Sequence, residues 1–435
     1  MSHRATRPIA VMVLLLIAGG LLWRASARTV WQWPARTQHG TTEALREPAL
    51  LPGPDGTLVI WRDASMPAGL LAAVPGSTAG PHPIIAYPGV QPQRWTAAPA
   101  AGGSYHIAWR EGDGSLHSAL IAPDGATLRG PIDLGRGAHS DFAAVAHSAN
   151  RLLILWIDAS TAQLFGSDVD AAGRPRAFGQ PILAGVSAVA ASTDRAGRIH
   201  LGWLSEPEPG RRTVHYLATT PDQLTPDTLP PAAALLTFTL APQDSLTAFA
   251  LGLDETHAYI FWAIASADRP DVERVYVLAF LLDAPHSAVL SELVLPDTFT
   301  PAGDAVASAL AIGPVASLPP DLAQRGPLRW PRTTAGQHDV LPLALALRTQ
   351  AGWRPAVVYF RAGTALGFQI AAPLPADAAP PALTVTPSGA IVLAWAGLDG
   401  ATPRLYTASN ASQGLAPHTE RSPGTLLENL LEALP

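Results

Sequence analysis

The sequence predicts an all-β protein built from about seven copies of one four-stranded unit. Six tryptophans recur at a near-constant interval, and each closes a short apolar run. The chain also holds 37 Gly and 43 Pro without a collagen-like period, so these residues mark turns between many short strands. The tryptophans are Trp61, Trp109, Trp156, Trp203, Trp262 and Trp395, and the first four gaps between them are 48, 47, 47 and 59 residues.

The third repeat shows the unit most clearly, because turn residues separate its apolar runs. Its second run ends at Trp156, and Asp158-Ala159-Ser160 follows as a turn. Similar turn residues, such as Asp55-Gly56 and Ser388-Gly389, precede most of the Trp runs and suit tight hairpins. The predicted strands of this repeat are 141–146, 151–156, 163–169 and a weak fourth at 178–183.

The unit between Trp262 and Trp395 is degenerate, because it lacks the Trp and carries a Pro-rich insertion near 315–338. A radial ring of four-stranded meanders, the β-propeller, leaves only short and protected sheet edges. The sequence therefore predicts a seven-bladed β-propeller of four-stranded antiparallel blades over residues 46–414, with six blades as the alternative. In the degenerate unit the predicted strands lie near 304–313, 340–347, 355–360 and 366–370.

The composition excludes several classes of function. The chain has no Cys, which removes disulfides, thiolate metal sites and cysteine nucleophiles. All 28 basic residues are Arg, so lysine Schiff-base and P-loop chemistry are excluded too. A net charge of −6 without a basic stripe argues against nucleic acid as a partner. We expect no cofactor and no metal, since the 13 His show no metal-ligand spacing and no glycine-rich nucleotide motif occurs.

The N-terminal residues 1–28 have the pattern of a targeting segment. Basic residues precede an apolar stretch at 8–23, which is shorter than the roughly 20 residues that span a bilayer. Ala25-Ser26-Ala27 then matches the pattern that signal peptidase reads. One interpretation is an apolar helix that anchors a single-pass protein in the cell membrane, with an extracytoplasmic body. The other is a signal cleaved near Ala27, which leaves a secreted or periplasmic protein.

Two further segments flank the repeats. Residues 29–45 are mixed and polar, and we interpret them as a linker, although 30–33 could instead form a strand. In the tail, 415–435, Thr425 and Glu428 fit a helix capping box. The tail therefore predicts a short amphipathic helix that packs on the propeller, docks on a partner or membrane surface, or frays. Its apolar face consists of Leu426, Leu427, Leu430, Leu431 and Leu434.

The recurring tryptophans are interpreted as packing residues. Each ends a nearly all-apolar run, and an indole is large enough to fill the gap between neighbouring blades. The residues just beyond them are better candidates for binding. An acid follows each Trp within a few residues, and six carboxylates on one rim would attract cationic groups, although Asp also closes ordinary hairpins. These rim acids are Asp63, Glu111, Asp158, Glu206, Asp268 and Asp399, and Arg62 and Arg110 are neighbours that could pair with them.

One segment carries a family resemblance. Residues 192–203, STDRAGRIHLGW, and the following VHYLA at 214–218 resemble a blade of the exported sialidase-like (BNR-type) β-propellers, in which an Asp-x-x-Gly turn leads into a strand ending in Trp. The resemblance implies the fold and an exported setting. Family sialidases imply an Arg triad, an Arg-Ile-Pro motif, a Tyr–Glu nucleophile pair and Ser-x-Asp-x-Gly-x-Thr-Trp boxes. The sequence contains neither the Arg-Ile-Pro motif nor a complete box, so no catalytic residue is assigned.

These patterns predict an exported, membrane-anchored propeller that acts as a non-catalytic binding or scaffold module for a protein or carbohydrate at the cell surface. The membrane is a partner through residues 8–23 if the segment stays uncleaved. A sialidase-like glycoside hydrolase is the first alternative. An accessory structural subunit of a membrane complex, docked through the tail, is the second.

Overall fold

A computed structural model shows a seven-bladed β-propeller, which confirms the predicted fold class. The structure describes residues 29–30, 36–38, 48–53, 56–63, 66–73, 82–86, 92–122, 126–135, 139–147, 151–194, 196–225, 227–266, 269–293, 311–312, 316–317, 339–349, 352–370, 381–386, 390–399, 402–409 and 418–419. The predicted N-terminal and C-terminal helices lie outside these residues. Over the described part of the chain, no helix has the length and apolar character to cross a membrane.

The first four blades follow one another along the chain, each as one antiparallel sheet. Two short strands come first, β1 (Thr29–Val30) and β2 (Arg36–Gln38). Blade 1 contains β3 (Ala49–Gly53), β4 (Gly56–Asp63), β5 (Met66–Ala73) and β6 (His82–Ala86). Blade 2 contains β7 (Pro92–Pro99), β8 (Tyr105–Glu111), β9 (Leu116–Ile121) and β10 (Thr127–Gly135). Blade 3 contains β11 (His139–His147), β12 (Arg151–Asp158), β13 (Gln163–Val169), β14 (Pro175–Ala177) and β15 (Leu183–Ala184). Blade 4 contains β16 (Val186–Thr193), β17 (Ile199–Glu208), β18 (Arg211–Thr219) and β19 (Ala233–Thr239).

The remaining blades complete the ring. Blade 5 contains β20 (Ser245–Leu253), β21 (His257–Ser266), β22 (Arg269–Leu281) and β23 (Ala284–Glu292). Blade 6 contains β24 (Ala311–Ile312), β25 (Ala316–Ser317), β26 (Asp339–Thr349), β27 (Gly352–Arg361) and β28 (Thr364–Ile370). Blade 7 contains β29 (Ala382–Val385), β30 (Ile391–Asp399) and β31 (Thr402–Ser409), and β32 (His418–Thr419) follows. Short 3-10 turns lie at Ala101–Gly103 and Pro221–Gln223.

The chain closes the ring with its own N-terminal segment. β2 pairs with β31 and so supplies the outermost strand of blade 7. β1 then pairs with β32 in a separate two-stranded ribbon, with Thr29 opposite Thr419. The segment 29–45, interpreted from sequence as a linker, therefore contains both of these closing strands. Blade 7 is built from both ends of the propeller sequence, which ties the last blade to the first.

The fourth strand of blade 3 differs from its sequence prediction. The sequence predicts a weak strand at 178–183, but the structure has two short pieces, β14 before this range and β15 beginning at its last residue. Phe178 lies over Gly166 of β13, where an added Cβ would come within 2.8 Å of the Phe178 ring. The segment between the pieces therefore folds over the sheet while the backbone N–H groups of Phe178 and Ile182 still bond to β13 carbonyls.

Each recurring Trp lies in the second strand of its blade and is buried. Four of the blade-to-blade contacts show the same arrangement, in which the Trp packs against the preceding blade. Trp109 packs on blade 1, Trp156 on blade 2, Trp203 on blade 3 and Trp262 on blade 4. Trp61 extends the pattern across the closure, since it packs on blade 7 beside Ala394. The core of the protein is thus a ring of interfaces between blades.

A planar ring on the third strand stacks beside the Trp in five blades. The pairs are Trp109–His117, Trp156–Phe165, Trp203–His215, Trp262–Tyr276 and Trp395–Tyr406, with ring centroids 5.1 to 6.3 Å apart. These residues face each other directly across the ladder, so the two side chains lie on the same side of the sheet. The two stacked rings together cover more of the gap between blades than the Trp side chain would cover alone.

Blade 6 fills its gap differently because its second strand has no Trp. Leu341, Leu343 and Leu345 of β26 pack on blade 5. The aromatic volume comes instead from Phe261 of β21 and Phe360 of β27, whose rings meet edge to face at 5.2 Å. The interface therefore keeps its buried aromatic content although the repeat signature is lost.

We predict that replacing one of these tryptophans strongly destabilises the protein. Trp203→Ala removes a buried indole and leaves a cavity, which should lower the free energy of unfolding by about 3–5 kcal/mol. Leu128→Ala, at a residue that is 58% exposed, is the control and should change it by less than about 0.5 kcal/mol. Denaturant titration measures both. Equal small effects would contradict the packing role of Trp203.

We also predict that ring closure depends on the N-terminal strands. A protein that begins at residue 46 lacks β1 and β2 and exposes the outer edge of β31, so its melting temperature should fall by about 5 °C or more. A protein that begins at residue 29 keeps both strands and is the matched control. Identical melting curves for the two proteins would show that β2 does not close the ring.

Candidate functional site

The five rim acids within the described residues lie on one face of the propeller. The second strands of all blades run in the same sense, so the hairpins that join second to third strands lie on one side, together with the connections between blades. We call this side the loop face. Asp63, Glu111, Asp158 and Asp399 are the last residues of their second strands, and Glu206 lies near the end of β17. Asp268 lies outside the described residues, and the side chains of Arg62, Asp63 and Asp399 are not described either.

The Asp158 carboxylate accepts its hydrogen bonds from residues of the turn that follows it. Its Oδ1 accepts hydrogen bonds from the backbone N–H groups of Ser160 and Thr161, both at 2.9 Å, and from the Ser160 hydroxyl at 2.6 Å. These hydrogen bonds, that from the Ser160 side chain foremost, lower the pKa of Asp158 to about 2. The carboxylate closes the hairpin between β12 and β13, as Asp commonly does in turns.

Glu206 is likewise held by neighbours in its own hairpin. Its Oε1 accepts a hydrogen bond of 2.9 Å from the Gly210 backbone N–H, and its Oε2 lies 2.7 Å from an Arg212 guanidinium nitrogen. Gly210 adopts a φ of 76°, a left-handed conformation that favours glycine in this turn. The ion pair fixes the hairpin between β17 and β18 on the loop face.

Glu111 binds the stacked pair of blade 2. Its Oε1 lies 3.4 Å from the Trp109 indole nitrogen, which donates to it, and 3.3 Å from His117 Nε2. The same His117 nitrogen is 3.1 Å from the Ser115 hydroxyl. Because Ser115 and Glu111 share one imidazole nitrogen, the three residues do not form a nucleophile–base–acid relay, which uses both nitrogens. Glu111 instead orients the Trp109–His117 stack.

An ion pair joins the first strands of blades 2 and 3. We call the first strand of each blade its inner strand. Arg94 of β7 forms an ion pair with Asp141 of β11, and the Arg94 guanidinium carbon lies 5.3 Å from the centre of the Phe142 ring. Arg110, half-buried, is opposite Arg94 in the ladder. Sequence reasoning singled out Arg110 but missed Arg94 and Asp141, because nothing local indicates that these two inner strands are adjacent.

The start of the inner strand is irregular in four consecutive blades. The pairing register shifts between Pro92 and Arg94, and at equivalent places in blades 3, 4 and 5. Bulges of this kind redirect side chains at the ends of strands and often occur beside functional sites. Here they place Arg94 and Asp141 at the loop-face end of the inner strands, between neighbouring blades.

The opposite face contains buried polar clusters that the sequence analysis did not identify. In blade 4, His200 Nε2 lies 3.1 Å from Asp194 Oδ2, and its Nδ1 lies 2.6 Å from the Tyr216 hydroxyl. Burial lowers the pKa of His200, although the hydrogen bond to Asp194 and the charge of that carboxylate act to raise it. Burial also raises the pKa of Tyr216. His200 and Tyr216 are buried and Asp194 is partly exposed, so the cluster stabilises the interior of the blade.

A second cluster connects blades 5 and 6. The buried Tyr259 hydroxyl donates to Asp254 Oδ2 at 2.5 Å and accepts from the Gly363 backbone N–H at 2.9 Å. Asp254 Oδ2 also accepts from the Ala362 N–H at 3.1 Å. Burial opposes ionisation of Asp254, but the Tyr259 and backbone hydrogen bonds hold its pKa below the usual range. Within the described residues, no group of three His, Asp or Glu side chains is arranged to hold a metal ion.

We predict that Asp158 contributes stability that is lost in acid. Because its pKa is lowered by folding, the ionised form stabilises the protein above about pH 4, and this contribution disappears as the pH falls towards 2. Asp158→Ala should therefore lower the melting temperature at pH 7, and the difference from wild type should shrink towards zero near pH 2. Asp227→Ala, at an exposed loop residue, is the control. A pH-independent difference for Asp158→Ala would contradict the turn assignment.

Comparison with known proteins extends only to the fold. No family model and no curated protein matches the sequence. Among solved structures, the polysaccharide lyase Uly1 is similar with a TM-score of 0.50 and 11% identity, over 86% of this chain and 92% of that one. A protein of unknown function from Dyadobacter fermentans has a TM-score of 0.46 and 11% identity, over 88% and 98% of the two chains. The SapL1 lectin in complex with alpha methyl fucoside has a TM-score of 0.39 and 12% identity, over 70% and 88%. At 11% identity the likeness to Uly1 shows a shared fold alone.

Proposed function

We propose that this chain is an exported, membrane-anchored β-propeller that works as a non-catalytic binding or scaffold module at the cell surface, with the loop face as its ligand surface. The loops of that face extend from blades fixed by buried Trp stacks. Side chains there can vary without disturbing the core, which suits recognition of a protein or a carbohydrate.

One observation carries the proposal: the three rim acids whose side chains are described are each bound within their own hairpin. Glycoside hydrolysis usually needs two carboxyl groups about 5–9 Å apart, one of them with a raised pKa. Asp158 instead has a pKa lowered to about 2, and Glu206 is paired with Arg212. Glu111 is bound to Trp109 and His117. These contacts favour a structural role for the acids over acid–base catalysis.

The exported and anchored setting rests on the sequence of residues 1–28. The apolar stretch at 8–23 supports both export and the anchor, whereas the Ala25-Ser26-Ala27 pattern supports export and belongs to the cleaved alternative. Sequencing the N-terminus of the protein recovered from a membrane fraction tests this part. Met1 or Ser2 at the N-terminus would support the anchor, and Arg28 would show that the signal is cleaved.

We predict that the full-length protein, solubilised in detergent, binds ligands without turning them over. It should be retained on immobilised cell-surface glycans or proteins, while incubation with a panel of 4-methylumbelliferyl glycosides should release no fluorophore above the buffer rate. Glu111→Gln and Glu206→Gln test the alternative function, that of a glycoside hydrolase, directly. Glu255→Gln, on an exposed turn of the opposite face, is the matched control.

Turnover that Glu206→Gln or Glu111→Gln abolishes, and that Glu255→Gln leaves intact, would overturn the non-catalytic assignment in favour of a glycoside hydrolase. Binding that is lost in Glu111→Gln or Glu206→Gln but kept in Glu255→Gln, without turnover, would support a non-catalytic binding module.

A further inference from the structure

The chain enters and leaves blade 7 at the face opposite the loop face. β31 begins after the loop-face hairpin that follows β30, so it runs towards the opposite face and ends there at Ser409. β2 is antiparallel to β31, with Arg36 beside Thr407 and Gln38 beside Leu405. β2 therefore begins at the opposite face, and the residues that precede it approach the propeller from that side.

The apolar stretch at 8–23 is close to this entry point along the chain. Its last residue, Trp23, precedes Thr29 of β1 by six positions, and Val30 precedes Arg36 of β2 by six more. An extended chain covers at most about 3.6 Å per residue, so each of these segments spans no more than about 22 Å. β1 is also paired with β32, which follows the exit of the chain from blade 7. We therefore expect an anchor at 8–23 to direct the opposite face towards the membrane.

The opposite face carries a cluster of arginines at blades 2 and 3, which we call the basic sector. It consists of Arg129, Arg151, Arg174 and Arg176, all at the ends of strands on this face or in the hairpin after β13. An added Cβ at Gly173 would lie 3.0 Å from Arg129 Cδ, so the Arg129 side chain of blade 2 lies against this hairpin of blade 3. Arg176 is opposite Asp168 in the ladder, and Arg151 forms an ion pair with the same Asp168. The four arginines therefore belong to one continuous surface.

The described acids of the basic sector are already paired. Asp168 is buried and bound by Arg151, and Asp170 Oδ2 lies 2.7 Å from Arg174 Nε. Two carboxylates among four guanidinium groups leave an excess of positive charge in this part of the described structure. The Arg174 side chain is 66% exposed, and only Arg151 of the four arginines is partly buried. Asp124, in the neighbouring hairpin of blade 2, lies outside the described residues.

The same face has the opposite charge at blades 4 and 5. Arg198 of blade 4 is paired with Asp194 at 2.8 Å, and four exposed acids lie in the turns and connections of this side. We call these acids the acidic sector, which consists of Asp222, Asp227, Glu255 and Asp283. An anionic surface would therefore attract blades 2 and 3 and repel blades 4 and 5.

An anionic lipid surface fits this arrangement. Arginines close to a membrane are attracted to anionic head groups, and a guanidinium can bind a phosphate through two hydrogen bonds. Leu128, which is 58% exposed, precedes Arg129 and adds an apolar side chain beside the basic sector. An acidic polysaccharide has charges of the same sign. The membrane is favoured over it because the chain enters the propeller at this face, a short distance after the apolar stretch at 8–23.

We propose that the opposite face is directed towards the membrane and that the basic sector binds the head groups of anionic phospholipids, with the acidic sector tilted away. The inference rests on the anchored setting of the proposed function and adds to it the orientation of the propeller and a lipid partner. The loop face then points away from the membrane, where its ligand surface is accessible.

Single-cysteine variants test the orientation, since the chain has no Cys of its own. Ala172→Cys and Ala159→Cys each place one thiol in an exposed hairpin, at opposite ends of blade 3, and Ala284→Cys places one in an exposed hairpin of blade 5 on the opposite face. The full-length proteins carry a fluorophore on this thiol and are assembled into nanodiscs that contain a lipid with a nitroxide quencher on its head group. The nanodiscs consist of phosphatidylcholine, with or without phosphatidylglycerol. With phosphatidylglycerol, the label at position 172 should be quenched most and the label at position 159 least.

Arg129→Gln combined with Arg176→Gln, in the Ala172→Cys protein, tests the basic sector. Each lost charge should shift the equilibrium between docked and undocked protein towards the undocked state by about fivefold. Quenching should then fall towards its value in phosphatidylcholine alone. Arg211→Gln, at an exposed arginine of the loop face, is the control and should leave quenching unchanged. These changes affect exposed side chains, so melting temperatures should stay within about 2 °C of the parent protein.

Each part of the proposal has its own contrary result. Quenching at position 159 that equals or exceeds quenching at position 172 would overturn the orientation, and quenching at position 284 that equals that at position 172 would overturn the tilt. Quenching at position 172 that is independent of phosphatidylglycerol, or that survives the loss of both arginines, would overturn lipid binding by the basic sector. Arginine-dependent retention on heparin, without an effect of phosphatidylglycerol, would overturn it in favour of an acidic polysaccharide.

Failure of the proposed function has a different signature. Protein that elutes free of the nanodiscs would contradict the anchored setting, and this inference with it. Protein that stays in the nanodiscs without selective quenching at position 172 would overturn this inference alone.

Discussion

The wedge-shaped gap between neighbouring blades is the constraint on which this propeller depends. Blades diverge from the axis, so each gap must be filled by large side chains if the interior is to reach normal packing density. In five blades a second-strand Trp beside a third-strand ring fills it. Where blade 6 lacks the Trp, Phe261 and Phe360 supply the aromatic volume at the same kind of interface. Buried ring volume is therefore maintained even where the repeated residue is not.

This packing separates scaffold from surface. The tryptophans are buried between blades and cannot contact a ligand, so recognition falls to the hairpins just beyond them. The opposite face also contains buried polar groups, those of His200, Tyr216, Asp254 and Tyr259, which bond to one another or to the backbone. Asp254 and Tyr259 together bind the backbone of the Ala362–Gly363 turn and so connect two blades. Buried acidic groups on that side stabilise the ring, and the described rim acids on the loop face shape hairpins.

The contacts of the rim acids connect structure to function. A carboxylate that accepts several backbone and hydroxyl hydrogen bonds, as Asp158 does, is stabilised in its ionised form and is a poor proton donor near neutral pH. Glu206 orders a hairpin through its contacts with the Gly210 backbone N–H and the Arg212 guanidinium. The ion pair that orders this hairpin therefore also argues against catalysis at Glu206.

The sequence by itself determined the repeat, the second-strand position of each Trp and the placement of the acids at the following hairpins. Those features are local: an apolar run, a turn signal and an acid lie within a few residues of one another. Only the tertiary structure decided what depends on adjacency between distant strands. The pairing of β2 with β31, the Arg94–Asp141 ion pair and the hydrogen bonds from the Ala362–Gly363 turn to Asp254 and Tyr259 each join segments that no local pattern relates. Ring closure and strand register bring these residues together, and both are set by packing over the whole ring.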